Sequence, residues 1–103
     1  MLIVLTNLPD SATAQALAKL LVEQRLAACV NVLAPCHSVY RWQDRIETAI
    51  EIPLLIKTTS ERYAALETAI RAHHPHELPE IIAVRVEHGL PDYLAWAAKQ
   101  TSP

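Results

Sequence analysis

Three histidines lie close together in the segment His73-His74-Pro75-His76, and imidazole is a good ligand for copper, zinc and nickel. Adjacent helical residues point about 100° apart, so His73 and His74 cannot face one ion while the chain is helical. Past the helix, His74 and His76 flank a proline in an extended segment, where residues i and i+2 point the same way. We therefore predict a metal site at His73, His74 and His76, completed by symmetry-related copies. The alternative is that these histidines stabilise the negative end of a helix.

A second pair of potential ligands is Cys36-His37, whose thiol and imidazole would suit copper(I). Two side chains are too few for a structural zinc site, so this pair is a weaker candidate. The other cysteine, Cys29, is expected to pack as a small apolar residue. An extended chain would hold the two thiols about 20 Å apart, too far for a disulfide, and we expect two free cysteines.

Two aromatic residues and two charged residues predict a cleft between subunits. Tyr40 and Trp42 share one strand face with Ser38, and they would form the aromatic wall of that cleft. The alternative is that they anchor a subunit interface, where Trp and Tyr are enriched. Lys57 and Glu80 lie near strand ends, where Lys57 would meet an anionic ligand and Glu80 a cation or a hydrogen-bond donor. Alternatively, the two charges pair and hold the strands together.

Several classes of function are disfavoured by composition. No nucleophile, base and orienting group assemble from local spacing, and the single glycine excludes glycine-rich phosphate loops, so we expect no enzyme. A net charge of −2 with dispersed signs argues against nucleic acid as a partner. No apolar run approaches about 18 residues, which argues against a membrane span. The N-terminal apolar run is too short for a signal peptide, and we expect a cytoplasmic protein.

Apolar periodicity predicts the elements that position these residues. In order, they are a strand at 2–6, a helix at 11–25, a long hairpin at 26–58, a helix from 58 to 73, a strand at 80–88 and a helix at 92–99. Thr58 and Glu61 are expected to form a capping box at the second helix. The order predicts an α+β fold of the ferredoxin-like split βαβ type, with two helices on one face of a four-stranded antiparallel sheet and an added C-terminal helix.

The long hairpin is the most unusual element, because each arm is about three times the usual strand length. A two-residue turn at Gln43-Asp44 would pair Trp42 with Arg45, and Asp44 would take a positive φ. The same register sets the prolines at 35 and 53 almost opposite each other, which predicts a bulge or bend.

The predicted bend divides the hairpin into an inner half within its own sheet and an outer half, residues 36–51, that projects. A domain of 103 residues cannot cover such arms alone, and 51% of its residues are hydrophobic. We therefore expect the outer half to pair with an edge strand of a neighbouring copy.

Seven short blocks occur in the order and spacing of a known family. They are Leu26–Asn31, Ser38–Trp42, Ile46-Glu47, Ile56–Thr58, His73–Pro75, Pro79–Ile81 and Tyr93–Trp96. On these blocks the chain resembles the CutA divalent-cation-tolerance family across almost its whole length. The resemblance implies a single domain over 1–103, a homotrimer of ferredoxin-like subunits, a link to tolerance of copper and other divalent metals, and no established catalytic activity. It also implies an architecture similar to PII signalling proteins, whose clefts between subunits bind small ligands.

Three positions depart from the family pattern. A cysteine proposed as a copper ligand in some bacterial members corresponds here to Thr6. This weakens any transfer of a thiolate–histidine copper site. The tight-turn glycine of many members is Asp44, and the position after His-Pro, often Tyr, is His76. Neither of these two changes threatens the predicted fold.

The leading hypothesis is a homotrimeric divalent metal (copper) tolerance protein that binds metal ions rather than catalysing a reaction. No cofactor is expected to be required, apart from copper or another divalent metal ion as the bound ion. The alternative is a PII-like signalling or adaptor module that binds a small anionic ligand in the cleft of Tyr40, Trp42, Lys57 and Glu80. A third possibility, suggested by the apolar content, is a scaffold that binds protein partners.

Overall fold

The computed structural model describes residues 1–103 as an α+β arrangement, with one antiparallel sheet and three α-helices. The elements are β1 (Leu2–Leu8), α1 (Ser11–Glu23), β2 (Cys29–Val32), β3 (Cys36–Trp42), β4 (Arg45–Thr58), a 3₁₀ turn (Ser60–Arg62), α2 (Tyr63–His73), β5 (Ile82–Arg85) and α3 (Pro91–Gln100). The sheet order is β2-β4-β1-β5, and β3 pairs with the first half of β4. No helix combines the length and the apolar character needed to cross a membrane.

Helix α1 begins at a side-chain cap and ends at a left-handed residue. The Asp10 carboxylate accepts hydrogen bonds from the Thr13 backbone N–H at 2.7 Å and from its hydroxyl at 3.0 Å, and these bonds lower the pKa of Asp10. The helix ends two residues before the predicted Arg25, because Arg25 has a φ of 57° and cannot continue it. The apolar residues that repeat at helical spacing on α1 are buried: Ala14, Leu17, Ala18 and Leu21.

The core lies between one face of the sheet and helices α1 and α2. Its largest buried side chains are Val4 and Leu8 of β1, Leu17 and Leu21 of α1, Leu54 and Ile56 of β4, and Leu66 and Ile70 of α2. On the opposite face, Ile82 and Val84 of β5 remain half exposed. Strand β5 is shorter than the predicted 80–88. Its partner strand β1 begins at Leu2, opposite Arg85, and the last backbone hydrogen bond between them joins Val86 to Met1.

The predicted capping box at the second helix is wrong. Thr58 is the last residue of β4, and its buried hydroxyl donates to the carbonyl oxygen of Leu26 at 2.6 Å. Thr59 occupies the cap position of the 3₁₀ turn without a side-chain hydrogen bond, and α2 begins only at Tyr63. The strand therefore uses the hydroxyl that the sequence pattern assigned to a helix cap.

The hairpin turn and its register agree with the prediction. Gln43 and Asp44 have φ values of 50° and 63°, as a two-residue turn requires, and Trp42 pairs with Arg45. The ladder pairs Cys36 with Glu51 but Val32 with Leu54, so residues 33–35 oppose only residues 52 and 53. The extra residue makes a bulge at the two prolines, where the bend was expected.

Beyond this bulge the hairpin extends as a two-stranded ribbon made of β3 and the first half of β4. The whole molecule is 45 Å long and 25 by 23 Å across. One face of the ribbon carries Val39, Ile46 and Ile50, which are 68%, 62% and 60% exposed. This chain therefore leaves an apolar stripe on its outer hairpin uncovered.

Candidate functional site

A cavity of about 680 Å³ lies between the ribbon and the loop that joins α2 to β5. Its lining comes from four parts of the chain: Asn7 of β1, Ser38, Val39, Tyr40 and Trp42 of β3, Glu51 of β4, and Pro75, His76, Glu77, Leu78 and Glu80 of the loop. Residues far apart in sequence therefore meet where the ribbon lies beside this loop.

The ribbon supplies the aromatic wall of the cavity. Ser38, Tyr40 and Trp42 alternate along β3 and so share one face. The register places Glu51 opposite Cys36, on that same face. Tyr40 and Trp42 were predicted to line a cleft between subunits, and they line a cavity that a single chain already forms.

The loop wall is held in place by His74, which is buried. Its Nε2 lies 2.6 Å from the carbonyl oxygen of Asn7, and its Nδ1 accepts the backbone N–H of His76 at 3.1 Å. One neutral tautomer, with the proton on Nε2, makes both bonds. Burial lowers the pKa of His74 and so favours this neutral form, although the bond to Asn7 and the nearby Glu51 act in the opposite direction.

The three histidines predicted as metal ligands therefore differ in role. His74 attaches the loop to β1 through Nε2, and its Nδ1 accepts a hydrogen bond from the backbone of His76 within the loop. The His73 Nδ1 lies 2.9 Å from the carbonyl oxygen of Ala69 on its own helix, and His73 and His76 are exposed. The His74 and His76 rings are neighbours, with centroids 4.8 Å apart. No group of three or more His, Cys, Asp or Glu side chains in residues 1–103 is arranged to hold a metal ion, so one chain supplies no complete ligand set.

The weaker pair, Cys36 and His37, points in two directions because adjacent strand residues face opposite sides of the ribbon. The Cys36 Sγ lies 3.8 Å from the Ser38 hydroxyl, and His37 is exposed. Both cysteines are free thiols, as expected. The strand geometry does not bring this thiol and this imidazole onto one ion.

Lys57 does not line the cavity of the single chain, and the four-residue cleft between subunits stays a prediction. It lies on the inner half of the hairpin, where its ammonium donates to Asn31 Oδ1 at 2.6 Å and lies 3.9 Å from Cys29 Sγ. Cys29 is thus half buried beside a cation rather than packed as an apolar residue. The predicted alternative, an ion pair between Lys57 and Glu80, is also absent.

Carboxylates dominate the charge of the cavity. Glu51, Glu77 and Glu80 all line it, and no Lys or Arg does. None of the three carboxylates takes part in either ion pair of the molecule, Lys19–Glu23 and Glu87–His88. Sequence reasoning found only Glu80. The predicted hairpin register could have placed Glu51 on the face of Tyr40 and Trp42. Glu77 lies in an irregular loop, where no periodic pattern predicts which way a side chain faces.

Known proteins resemble this chain over its whole length. The family described as "CutA1 divalent ion tolerance protein" matches residues 2–100. The divalent-cation tolerance protein CutA of Thermus thermophilus is 40% identical over 99 residues, 96% of each chain. Its solved structure has a TM-score of 0.96 and covers 99% of this chain and 100% of its own.

Two further solved structures have the same fold. CutA of Xylella fastidiosa is 44% identical with a TM-score of 0.95, covering 98% of this chain and 97% of its own. A protein of Nostoc sp. described as the PII-like protein CutA, in apo form, is 35% identical with a TM-score of 0.92, covering 99% and 98%. The likeness therefore extends through the hairpin and the cavity loop alike.

Proposed function

The chain belongs to the CutA1 divalent ion tolerance family, and on that premise we propose that it acts in divalent-cation tolerance by binding a metal ion, copper foremost, rather than by catalysing a reaction. The observation that carries the proposal is the cavity, whose lining includes Glu51, Glu77, Glu80 and His76 and no Lys or Arg. Imidazole suits copper and zinc, and carboxylates neutralise the charge of a divalent ion.

A homotrimer is part of this proposal, because one chain offers no complete set of ligands. The sheet order β2-β4-β1-β5 agrees with a ferredoxin-like subunit, and the exposed apolar stripe of the ribbon favours burial against a partner. In our proposal a neighbouring copy covers that stripe and completes the metal shell. A cytoplasmic location stays a prediction.

Calorimetric titration with Cu²⁺ and with Zn²⁺ tests the metal proposal. His76→Ala and Glu80→Gln are the test variants, and His88→Ala is the matched control, because the His88 side chain is 91% exposed and lies outside the cavity. We expect saturable heat for wild type, about tenfold weaker binding in each test variant, and no change in the control. Absence of saturable heat in wild type, or an equal loss in the control, rejects the proposal.

A second candidate is a PII-like module that binds a small organic ligand in the same cavity. Its volume of about 680 Å³ lies within the usual range of ligand pockets, and Tyr40 and Trp42 supply an apolar wall. The solved Nostoc relative described as PII-like is consistent with it. The anionic ligand expected from the sequence is disfavoured, because Lys57 lies elsewhere and the lining carries carboxylates.

A thermal-shift screen separates the two candidates, with small organic acids and amines tested against divalent metals in parallel. Lys57→Ala is the matched control, since its ammonium contacts Asn31 and not the cavity. A shift produced by organic acids and abolished by Lys57→Ala would restore the anionic site, contrary to our expectation.

A further inference from the structure

We propose that the cavity binds an organic cation of the alkylguanidinium class, with the planar cation against the ring of Tyr40 or Trp42 and its N–H groups directed to one of the lining glutamates. The inference rests on the second candidate function, that the cavity takes a small organic ligand, and it names the chemistry of that ligand. Three properties of the lining support it.

The first property is charge. Glu51, Glu77 and Glu80 line the cavity without a cationic partner. An anionic metabolite would add like charge to these carboxylates, whereas a cation supplies the charge that they lack. Lys57 is the cation that the sequence predicted in this site. It donates instead to Asn31 on the inner hairpin.

The second property is the aromatic wall. The rings of Tyr40 and Trp42 lie on the same strand face and remain partly exposed. A cation over the face of a Trp or Tyr ring is attracted by its quadrupole. A bare metal ion gains little from such a wall, and no group of three ligands is arranged to hold one.

The third property is the combination of flat rings with carboxylates in a space of about 680 Å³. Guanidinium is planar, stacks on aromatic faces and donates two parallel hydrogen bonds to one carboxylate. An alkylammonium is a compact and strongly hydrated charge that uses neither feature fully. The lining therefore favours a guanidinium group on a short alkyl chain.

Tryptophan fluorescence provides a direct reporter. The chain has two tryptophans, Trp42 in the cavity and Trp96 on α3, so Trp96→Phe leaves Trp42 as the only indole. This full-length variant is titrated with butylguanidinium and with butylurea, which has nearly the same shape and no charge. We expect a saturable signal with butylguanidinium and binding of butylurea that is at least about tenfold weaker.

Charge-removing variants identify the site. Glu51→Gln and Glu80→Gln, each in the Trp96→Phe background, are expected to weaken butylguanidinium binding about tenfold. Glu87→Gln is the matched control and should bind as the parent does, because its side chain is 88% exposed and lies outside the cavity. Equal affinity for butylurea, no saturation with butylguanidinium, or an equal loss in Glu87→Gln overturns the inference.

The metal titration keeps this inference distinct from the metal proposal. If Cu²⁺ binds and butylguanidinium does not, the guanidinium inference is wrong and the metal proposal stands. If butylguanidinium binds with the expected dependence on Glu51 and Glu80 while Cu²⁺ does not, the inference stands and the metal proposal is wrong.

Discussion

The inner and outer halves of the hairpin share one strand and one pattern of alternation, but their environments are opposite. Ile52, Leu54 and Ile56 of β4 are at most 7% exposed, whereas Ile46 and Ile50 on the same face of the same strand are 62% and 60% exposed. Helices α1 and α2 cover the inner half and do not reach the outer half. Alternation thus predicts which face is apolar, and it says nothing of what covers that face.

The backbone shows the same contrast. The inner half of β4 pairs with β1 on one side and β2 on the other, while its outer half pairs only with β3. An unpaired edge beside an apolar stripe is the arrangement that invites another strand. The contrast therefore supports assembly through the outer half, and the substitutions of Ile56, Ile50 and Ile46 test it directly.

The largest effect is expected from removing a core side chain of the inner half. Ile56→Ala should lower the free energy of unfolding by about 2–5 kcal/mol at any protein concentration, because the residue is fully buried within one chain. Ile50→Ala is the matched substitution on the outer half, and its effect should depend on protein concentration. Chemical denaturation at several protein concentrations checks both variants. If the effects of Ile56→Ala and Ile50→Ala depended equally on protein concentration, the two halves would not differ in this respect.

A charge on the apolar stripe should weaken assembly. Ile46→Asp is expected to raise the dissociation constant of the oligomer by at least about tenfold, because a desolvated charge would lie at the interface. Thr68→Asp, on the exposed part of α2, is the control and should leave assembly unchanged. Sedimentation equilibrium measures both, and a wild-type protein that is monomeric at all concentrations would contradict the assembly argument.

Two buried threonines on the inner, helix-covered face should respond with opposite sign. The Thr6 hydroxyl has no hydrogen-bond partner, so Thr6→Val should raise the free energy of unfolding by about 1 kcal/mol. The Thr58 hydroxyl donates to Leu26, so Thr58→Val should lower it by about 1–3 kcal/mol. Denaturant unfolding compares them, and a loss of stability in Thr6→Val would show that its hydroxyl is satisfied.

The smallest effect is a pH dependence at His74, in the loop that joins α2 to β5. Burial lowers the pKa of His74 below its ordinary 6.5, so the unfolded chain takes up this proton first as the pH falls. Stability is then lost below about pH 6.5, until the folded state also binds the proton. His76 and Glu51 are the titratable groups that act on His74, with opposite signs.

Melting temperatures measured with a chelator at about pH 7.5 and about pH 5.5 test this dependence. His74→Gln keeps a donor for the Asn7 carbonyl but cannot be protonated, so its melting temperature should fall less than that of wild type. His88→Gln, at an exposed site, should follow wild type. Parallel behaviour of wild type and His74→Gln would assign the pH dependence to other groups.

Much of the fold was predictable because short-range rules govern it. The turn at Gln43-Asp44, the Trp42–Arg45 register and the bulge near the prolines follow from turn geometry and the missing N–H of proline. The prediction of a capping box used an equally local pattern and was wrong. Thr58 belongs to a buried strand, where its hydroxyl donates a hydrogen bond to the carbonyl oxygen of Leu26.

The candidate site was predictable only in part. Tyr40, Trp42 and Glu80 do line one cavity, and His76 from the predicted metal set joins them. Lys57 lies apart, because it is six residues along β4 from Glu51, which is about 20 Å in an extended strand. His74 shows the same limit. The sequence alone does not distinguish a histidine that binds a metal from one that hydrogen-bonds a distant backbone carbonyl, as His74 does with Asn7.

The amino-acid sequence by itself determined the order of the elements, the face that each strand makes apolar, the turn and the family to which the chain belongs. These follow from periodicity and backbone preferences, which act over a few residues. Only the tertiary structure decided which side chains share the cavity, that its lining has carboxylates but no Lys or Arg, and that His74 bonds the Asn7 carbonyl. The physical reason is that burial and hydrogen-bond partners depend on where the bent hairpin meets the α2–β5 loop, a contact between distant parts of the chain.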